Sequence, residues 1–103
     1  MEIYKNTGTG ITTAQGRPCN TFGFFNLNVQ FSIEEFTFSV YLWEHDEDAL
    51  AGKTPNNIRN ITLPITSEET LADCVASLFA GSPYMLTGET LDLSNAEVIG
   101  KYP

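Results

Sequence analysis

The sequence predicts an α+β domain: a mainly antiparallel β-sheet with one amphipathic helix packed on one face. Three observations lead there. Apolar and polar residues alternate with a period of two in three runs, around 24–33, 36–43 and 58–65. One stretch, about 67–80, carries its apolar residues at helical spacing. Between these runs the chain is rich in Gly, Pro, Asn and Thr, which interrupt elements. Several strands and one helix fit an antiparallel sheet with a helix on one side better than a chain of βαβ units.

The elements follow in chain order. Residues 6–21, NTGTGITTAQGRPCNT, read as a loop or arm with at most a short strand at Ile11, Thr12 and Thr13. Ordering each residue costs roughly 1–2 kcal/mol of backbone entropy. One Ile contributes at best ~2–3 kcal/mol of burial, so the segment either stays mobile or takes its contacts from outside the chain. Strand addition to a neighbour's sheet edge would supply them. The sequence is therefore divided into an arm, 1–21, and one globular domain, 22–103.

In the first alternating run, Phe25, Leu27, Val29, Phe31 and Ile33 form the apolar set. After Glu34 and Glu35 the parity flips to Phe36, Phe38, Val40 and Leu42. A two-residue hairpin, a bulge in one strand or a single helical turn over 32–35 would each cause the flip. Two antiparallel strands with an atypical connection are the preferred reading. The second strand also places Tyr41 and Trp43 on its outward side. Either a helix and a loop cover that end, or it is an aromatic patch for a partner. The third run, IRNITLPI, ends at Pro64–Ile65. Pro64 cannot donate to a ladder, which places that end at an edge or a bulge. Thr66 and Glu69 have capping-box spacing, and Leu71, Cys74, Val75, Leu78 and Phe79 form one helical stripe. Gly81 and Pro83 end the helix. One or two short strands, around Tyr84–Leu86 and Leu91–Leu93, and a loose tail finish the chain.

Charge narrows the function. Thirteen acids against five bases give a formal net charge of −8. Such a chain has no basic footprint for nucleic acid or an anionic membrane. The start, MEIYKNTGTG, lacks the charged and apolar blocks of a signal peptide. Nothing approaches a membrane-spanning run. Cys19 and Cys74 are accordingly expected to be thiols, a disulfide being the alternative.

The densest chemistry lies in LWEHDEDALAGKTP, residues 42–55. His45 is the only histidine, so one chain cannot form a two-His metal site. Counted from Glu44, the positions that an EF-hand loop needs as Gly and Glu are Ala49 and Pro55. Gly52-Lys53-Thr54 lacks the earlier glycine of a phosphate loop, because position 47 is Glu. No nucleophile elbow accompanies the serines. No catalytic residue, cofactor or metal is expected. The plain reading is a capped helical turn: Asp46 as N-cap, Glu47 and Asp48 in the first turn, Leu50 plugged into the core and Gly52 as the stop.

The aromatic strand end, the acidic stretch, LAGKTP at 50–55 and the strand closing in LPI at 63–65 resemble small virion proteins of tailed bacteriophages. The resemblance spans roughly 36–66 and carries over no functional residue. It implies a non-enzymatic structural subunit of the neck, tail or capsid, made in the host cytoplasm and then built into the virion. Its partners would be copies of itself and neighbouring virion proteins, with no direct nucleic acid, membrane or small-molecule substrate. Candidate contacts are Ile11, Thr12 and Thr13, Tyr41 and Trp43, and Tyr102 in the C-terminal Lys-Tyr-Pro. The alternative is a small acidic inhibitor that masks a basic site on a host enzyme.

Overall fold

The computed structural model describes residues 1–7, 18–66, 68, 70–80, 84–86 and 89–103. Five strands form one antiparallel sheet in the order β4-β3-β2-β1-β7. They are β1 (Glu2–Asn6), β2 (Thr21–Gln30), β3 (Glu35–Trp43), β4 (Asn57–Pro64) and β7 (Ala96–Lys101). Between them lie a short helix α1 (Asp46–Leu50), the helix α2 (Leu71–Ala80) and a small hairpin of β5 (Tyr84–Leu86) and β6 (Glu89–Leu91). The architecture is the α+β class that the alternating runs and the single long helix predict.

β3 is the centre of the packing. Phe36, Phe38, Val40 and Leu42 are all buried on one face. Residues paired across antiparallel strands share a face, so the register extends this face to Ile61 and Leu63 on β4 and to Phe22 and Phe24 on β2. α2 covers the same face with Cys74 and Leu78. The Phe79 ring meets Phe24 at 5.3 Å and Tyr4 at 5.2 Å. Each fully buried aromatic or aliphatic side chain here stabilises the fold by about 1.5–3 kcal/mol.

The phase of β2 differs from the sequence reading. Phe25 pairs with Ser39 and Asn28 with Thr37, so Asn26 and Leu27 together face Phe38. This is a β-bulge, and Asn26 takes a left-handed φ of 56°. The extra residue flips the alternation. Phe22 and Phe24 point into the core, while Phe25 turns to the opposite face and Leu27 is exposed. The strand stops at Gln30, and Phe31–Ile33 form a 3₁₀ turn closed by Glu34 at φ 54°. A hairpin through a helical turn and a separate bulge thus both occur. Phe31 and Ile33, assigned by alternation to the buried set, are exposed.

The largest departure is at the two ends of the chain. The sequence places residues 1–21 in an arm, yet Glu2–Asn6 is an interior strand, bonded to β2 on one side and β7 on the other. Ile3 is fully buried and Tyr4 stacks on Phe22 at 5.5 Å. The tail expected to be loose is β7, its partner. Five residues with two large apolar side chains carry too little local signal for a strand. Backbone pairing on both sides is what defines this one, and its partners are distant in sequence. Residues 8–17, including Ile11, Thr12 and Thr13, lie outside the described residues.

α2 begins later than expected. Thr70 N–H donates to Asp73 Oδ2 (2.9 Å) and Asp73 N–H donates to Thr70 Oγ1 (3.2 Å). The reciprocal box therefore sits at Thr70 and Asp73, four residues past Thr66. The Thr70 backbone N–H foremost, and the Thr70 side chain after it, hold the Asp73 carboxyl below its ordinary pKa. Glu69, Gly81 and Pro83 lie outside the described residues. At the other end the Tyr84 hydroxyl donates to the Leu78 carbonyl at 2.5 Å, satisfying a terminal helix acceptor. Cys19 and Cys74 are buried thiols. No helix among the described residues is long and apolar enough to cross a membrane.

Candidate functional site

The face of the sheet opposite α2 has two halves. One is aromatic and lies under α1. Phe25 stacks on Tyr41 at 4.3 Å, Tyr102 meets Phe25 at 5.2 Å, and Trp43 lies 5.6 Å from Tyr102 and 6.2 Å from Tyr41. Ile3 and Ala49 complete a second core. The Trp43 indole N–H donates to the Lys53 carbonyl (3.0 Å), and the Tyr102 hydroxyl donates to the Gly52 carbonyl (3.0 Å). Gly52 stands at φ +78° with Pro103 against it. Three of the sequence-derived contact residues, Tyr41, Trp43 and Tyr102, are thus gathered in one place. Trp43, however, is fully buried, while Tyr41 and Tyr102 are half-buried. For Trp43 the covered-strand reading is the correct one, because α1 and the C-terminal residues roof it over. An indole with no exposed surface offers nothing to a partner.

α1 is held over this cluster by its first residue. Asp46 Oδ2 accepts from Lys5 Nζ at 2.9 Å, and Oδ1 accepts from the buried Thr21 hydroxyl. Those two donors, Thr21 first, hold the Asp46 carboxyl below its ordinary pKa, and Asp46 in turn raises that of Lys5. The N-cap of α1 is His45, which makes no side-chain cap bond, so Asp46 serves as an anchor between elements instead of as a cap. Ala49 is the residue that plugs into the core; Leu50 stays 39% exposed.

Glu44 and Asp48 have separate local partners. The Glu44 carboxylate accepts from Asn56 Nδ2 at 3.1 Å, and Asp48 lies 3.4 Å from Lys53 Nζ. Among the described residues no three His, Cys, Asp or Glu side chains converge on one point. The second half of the opposite face is uncharged. Asn26, Asn28, Thr37, Ser39, Asn60 and Thr62 surround a shallow hollow of about 440 Å³, with Ser39 Oγ donating to Asn60 Oδ1 at 2.7 Å.

The features that alternation missed lie on the α2 side and at the hairpin tip. An apolar hollow of about 290 Å³ opens between β1, β2 and α2, lined by Met1, Tyr4, Phe24, Leu27, Val75 and Leu78. At the far end of β2, Phe31 is 42% and Ile33 55% exposed. The bulge brings Leu27 into the wall of the hollow, and the 3₁₀ turn after Gln30 exposes the tip. The available signal was Asn26 itself, since Asn tolerates the left-handed conformation far better than a β-branched residue.

No protein-family model matches this chain, and neither a curated protein nor a solved structure does.

Proposed function

We propose that this chain is a non-enzymatic structural subunit of a bacteriophage particle, associated with the neck, tail or capsid. It acts through contacts with copies of itself and with neighbouring virion proteins. The observation that carries the reading is the hairpin tip. Phe31 and Ile33 project from a turn that contains no buried residue. Large apolar side chains grouped on a projecting turn are the kind of surface a protein contact hides. The sheet edges add to this. β4 and β7 are edge strands, with Ile58 and Val98 exposed on them, and edges accept further strands.

The competing reading, an acidic mask for a basic site on a host enzyme, draws less support. Asp46 and Asp48 already face Lys5 and Lys53, so the cluster presents less free charge than its sequence suggests. Purifying intact particles from the native source and identifying their subunits tests the choice. The structural reading expects this chain in multiple copies per particle. Its absence from particles, with recovery bound to a host enzyme, would overturn that reading.

A further inference from the structure

We infer that two copies of this chain pair along their β4 edges, antiparallel and two-fold, with Asn60 facing the partner's Asn60. The inference rests on the structural-subunit reading and specifies one contact through which it works.

The hydrogen-bond phase of β4 decides which backbone groups face outward. Ile65 N–H donates to the Glu34 carbonyl at 3.0 Å. These two stand opposite each other, one step beyond the Glu35–Pro64 pair. Bonded and non-bonded pairs alternate along an antiparallel ladder. Leu63, Ile61, Arg59 and Asn57 therefore bond to β3, and Ile58, Asn60, Thr62 and Pro64 turn their backbone groups away from it. Two details agree. Pro64, which has no N–H, stands at an outward position. The Ile58 carbonyl accepts from Arg59 Nη1 at 2.9 Å, a side chain of its own strand. Among the described residues no strand lies beyond β4.

The other edge is a poorer template. The register of β7 skips Ile99, and the strand carries Glu97 and Lys101. Bulges and charges are what blunt an edge. β4 instead pairs with β3 over eight residues without a shift, and Arg59 is its only charge. In a chain of net charge −8, it lets two copies meet without bringing strand carboxylates together.

The outward groups of β4 are symmetric about Asn60. The Pro64 ring stands where an N–H would point, so a partner strand bonds to Ile58, Asn60 and Thr62. A second β4 meets all three when Asn60 faces the partner's Asn60 and Ile58 faces the partner's Thr62. Shifted by two residues one way, the Pro64 ring collides with the partner's Ile58 carbonyl. Shifted the other way, Thr62 falls opposite residues that precede the strand. In the symmetric register Arg59 lies opposite the partner's Ile61, so the two like charges do not face each other. Arg59 releases the Ile58 carbonyl, which then accepts from the partner's Thr62. Asn60 Oδ1 accepts from Ser39, and a second amide on the same face gives the Asn60 N–H groups an acceptor. The contact is isologous and closes on itself. It leaves both tips outside the seam, so the pair is a unit that further contacts extend.

Cross-linking the full chain tests this. Residues opposite each other in a bonded antiparallel pair have Cα atoms ~5.5 Å apart, within the span of a disulfide. Asn60→Cys, incubated with oxidised glutathione, should give a disulfide dimer on a non-reducing gel. Ile58→Cys alone should not, because roughly 13 Å of strand separates the two copies of that position. Mixed with Thr62→Cys, it should. All three positions are exposed, and Cys19 and Cys74 are buried, so the wild type serves as the blank. If Ile58→Cys links as readily as Asn60→Cys, the β4 pairing is wrong. It is equally wrong if Asn60→Cys stays unlinked while the wild type associates in sedimentation, and self-association then runs through another surface. If the wild type never associates and no variant links, the structural-subunit reading itself fails, and this pairing with it.

Discussion

Lys5 Nζ lies 2.9 Å from Asp46 Oδ2, and the Thr21 hydroxyl donates to the other oxygen of the same carboxylate. One side chain thus joins β1, β2 and α1, elements that the sequence separates by up to 41 positions. Thr21 is almost fully buried, so removing its acceptor strands a hydroxyl. Asp46→Ala is expected to cost about 1–3 kcal/mol, mostly from that stranded donor, measured by urea denaturation.

The same carboxylate sets a pH dependence. Its pKa in the folded chain is lowered, by Thr21 first and Lys5 second. A lowered folded-state pKa contributes stability that is present above the unfolded-state value and lost as pH falls through the folded one. Stability should therefore decline from about pH 5 downwards. In Asp46→Asn that part of the decline should be absent, read from melting temperatures between neutral and acidic pH. An unchanged acid limb in the variant would show that Asp46 does not contribute.

α2 offers a paired test of its start. Thr70→Ala removes the acceptor for Asp73 N–H and should cost about 1 kcal/mol, a shift of roughly 4–8 °C in Tm. Thr66→Ala should shift Tm by far less. The opposite order would restore the capping box to Thr66.

Trp43 is the only tryptophan and reports on its own roof. Tyr102→Ala removes a half-buried ring and the bond to the Gly52 carbonyl. The expected cost is about 1–2 kcal/mol, with a red shift of the tryptophan emission as water reaches the indole. Emission at the wild-type wavelength would mean that other residues alone cover it.

The N-terminus yields the sharpest reversal. An arm could be cut away with little effect on melting, but an interior strand cannot. Deleting residues 1–18 takes β1 and the buried Ile3 with it. It exposes both β2 and β7, and a loss comparable with the whole ~5–15 kcal/mol stability of a small domain is expected. A cooperative melt near the wild-type temperature would contradict the interior position of β1.

What could be read from the chain depended on how local each element's cause was. β3 and β4 were legible because their alternation runs uninterrupted, and α2 because one stripe recurs through it. The first half of β2 was read one face out of phase, since the bulge at Asn26 shifts the register there, whereas Val29 beyond it pairs with Phe36 on the expected face. The exposed tip, Phe31 and Ile33, was hidden because the strand ends at Gln30 and a 3₁₀ turn takes both residues out of the alternation. β1 and β7 were missed because each is defined by the other, across more than ninety residues. Tyr41 and Trp43 were read together and Tyr102 separately, as candidate contacts, and it is the fold that gathers the three into one cluster. Only the fold shows that it closes on itself, through a helix whose acids looked from the sequence like a free surface.

The central claim is that this chain works by assembling. Sedimentation velocity on the purified full-length chain, from micromolar to millimolar concentration, tests it most directly. The expected result is a concentration-dependent rise to a discrete ring or an open polymer of the 11.4 kDa chain. A single 11.4 kDa species across the whole range would contradict it.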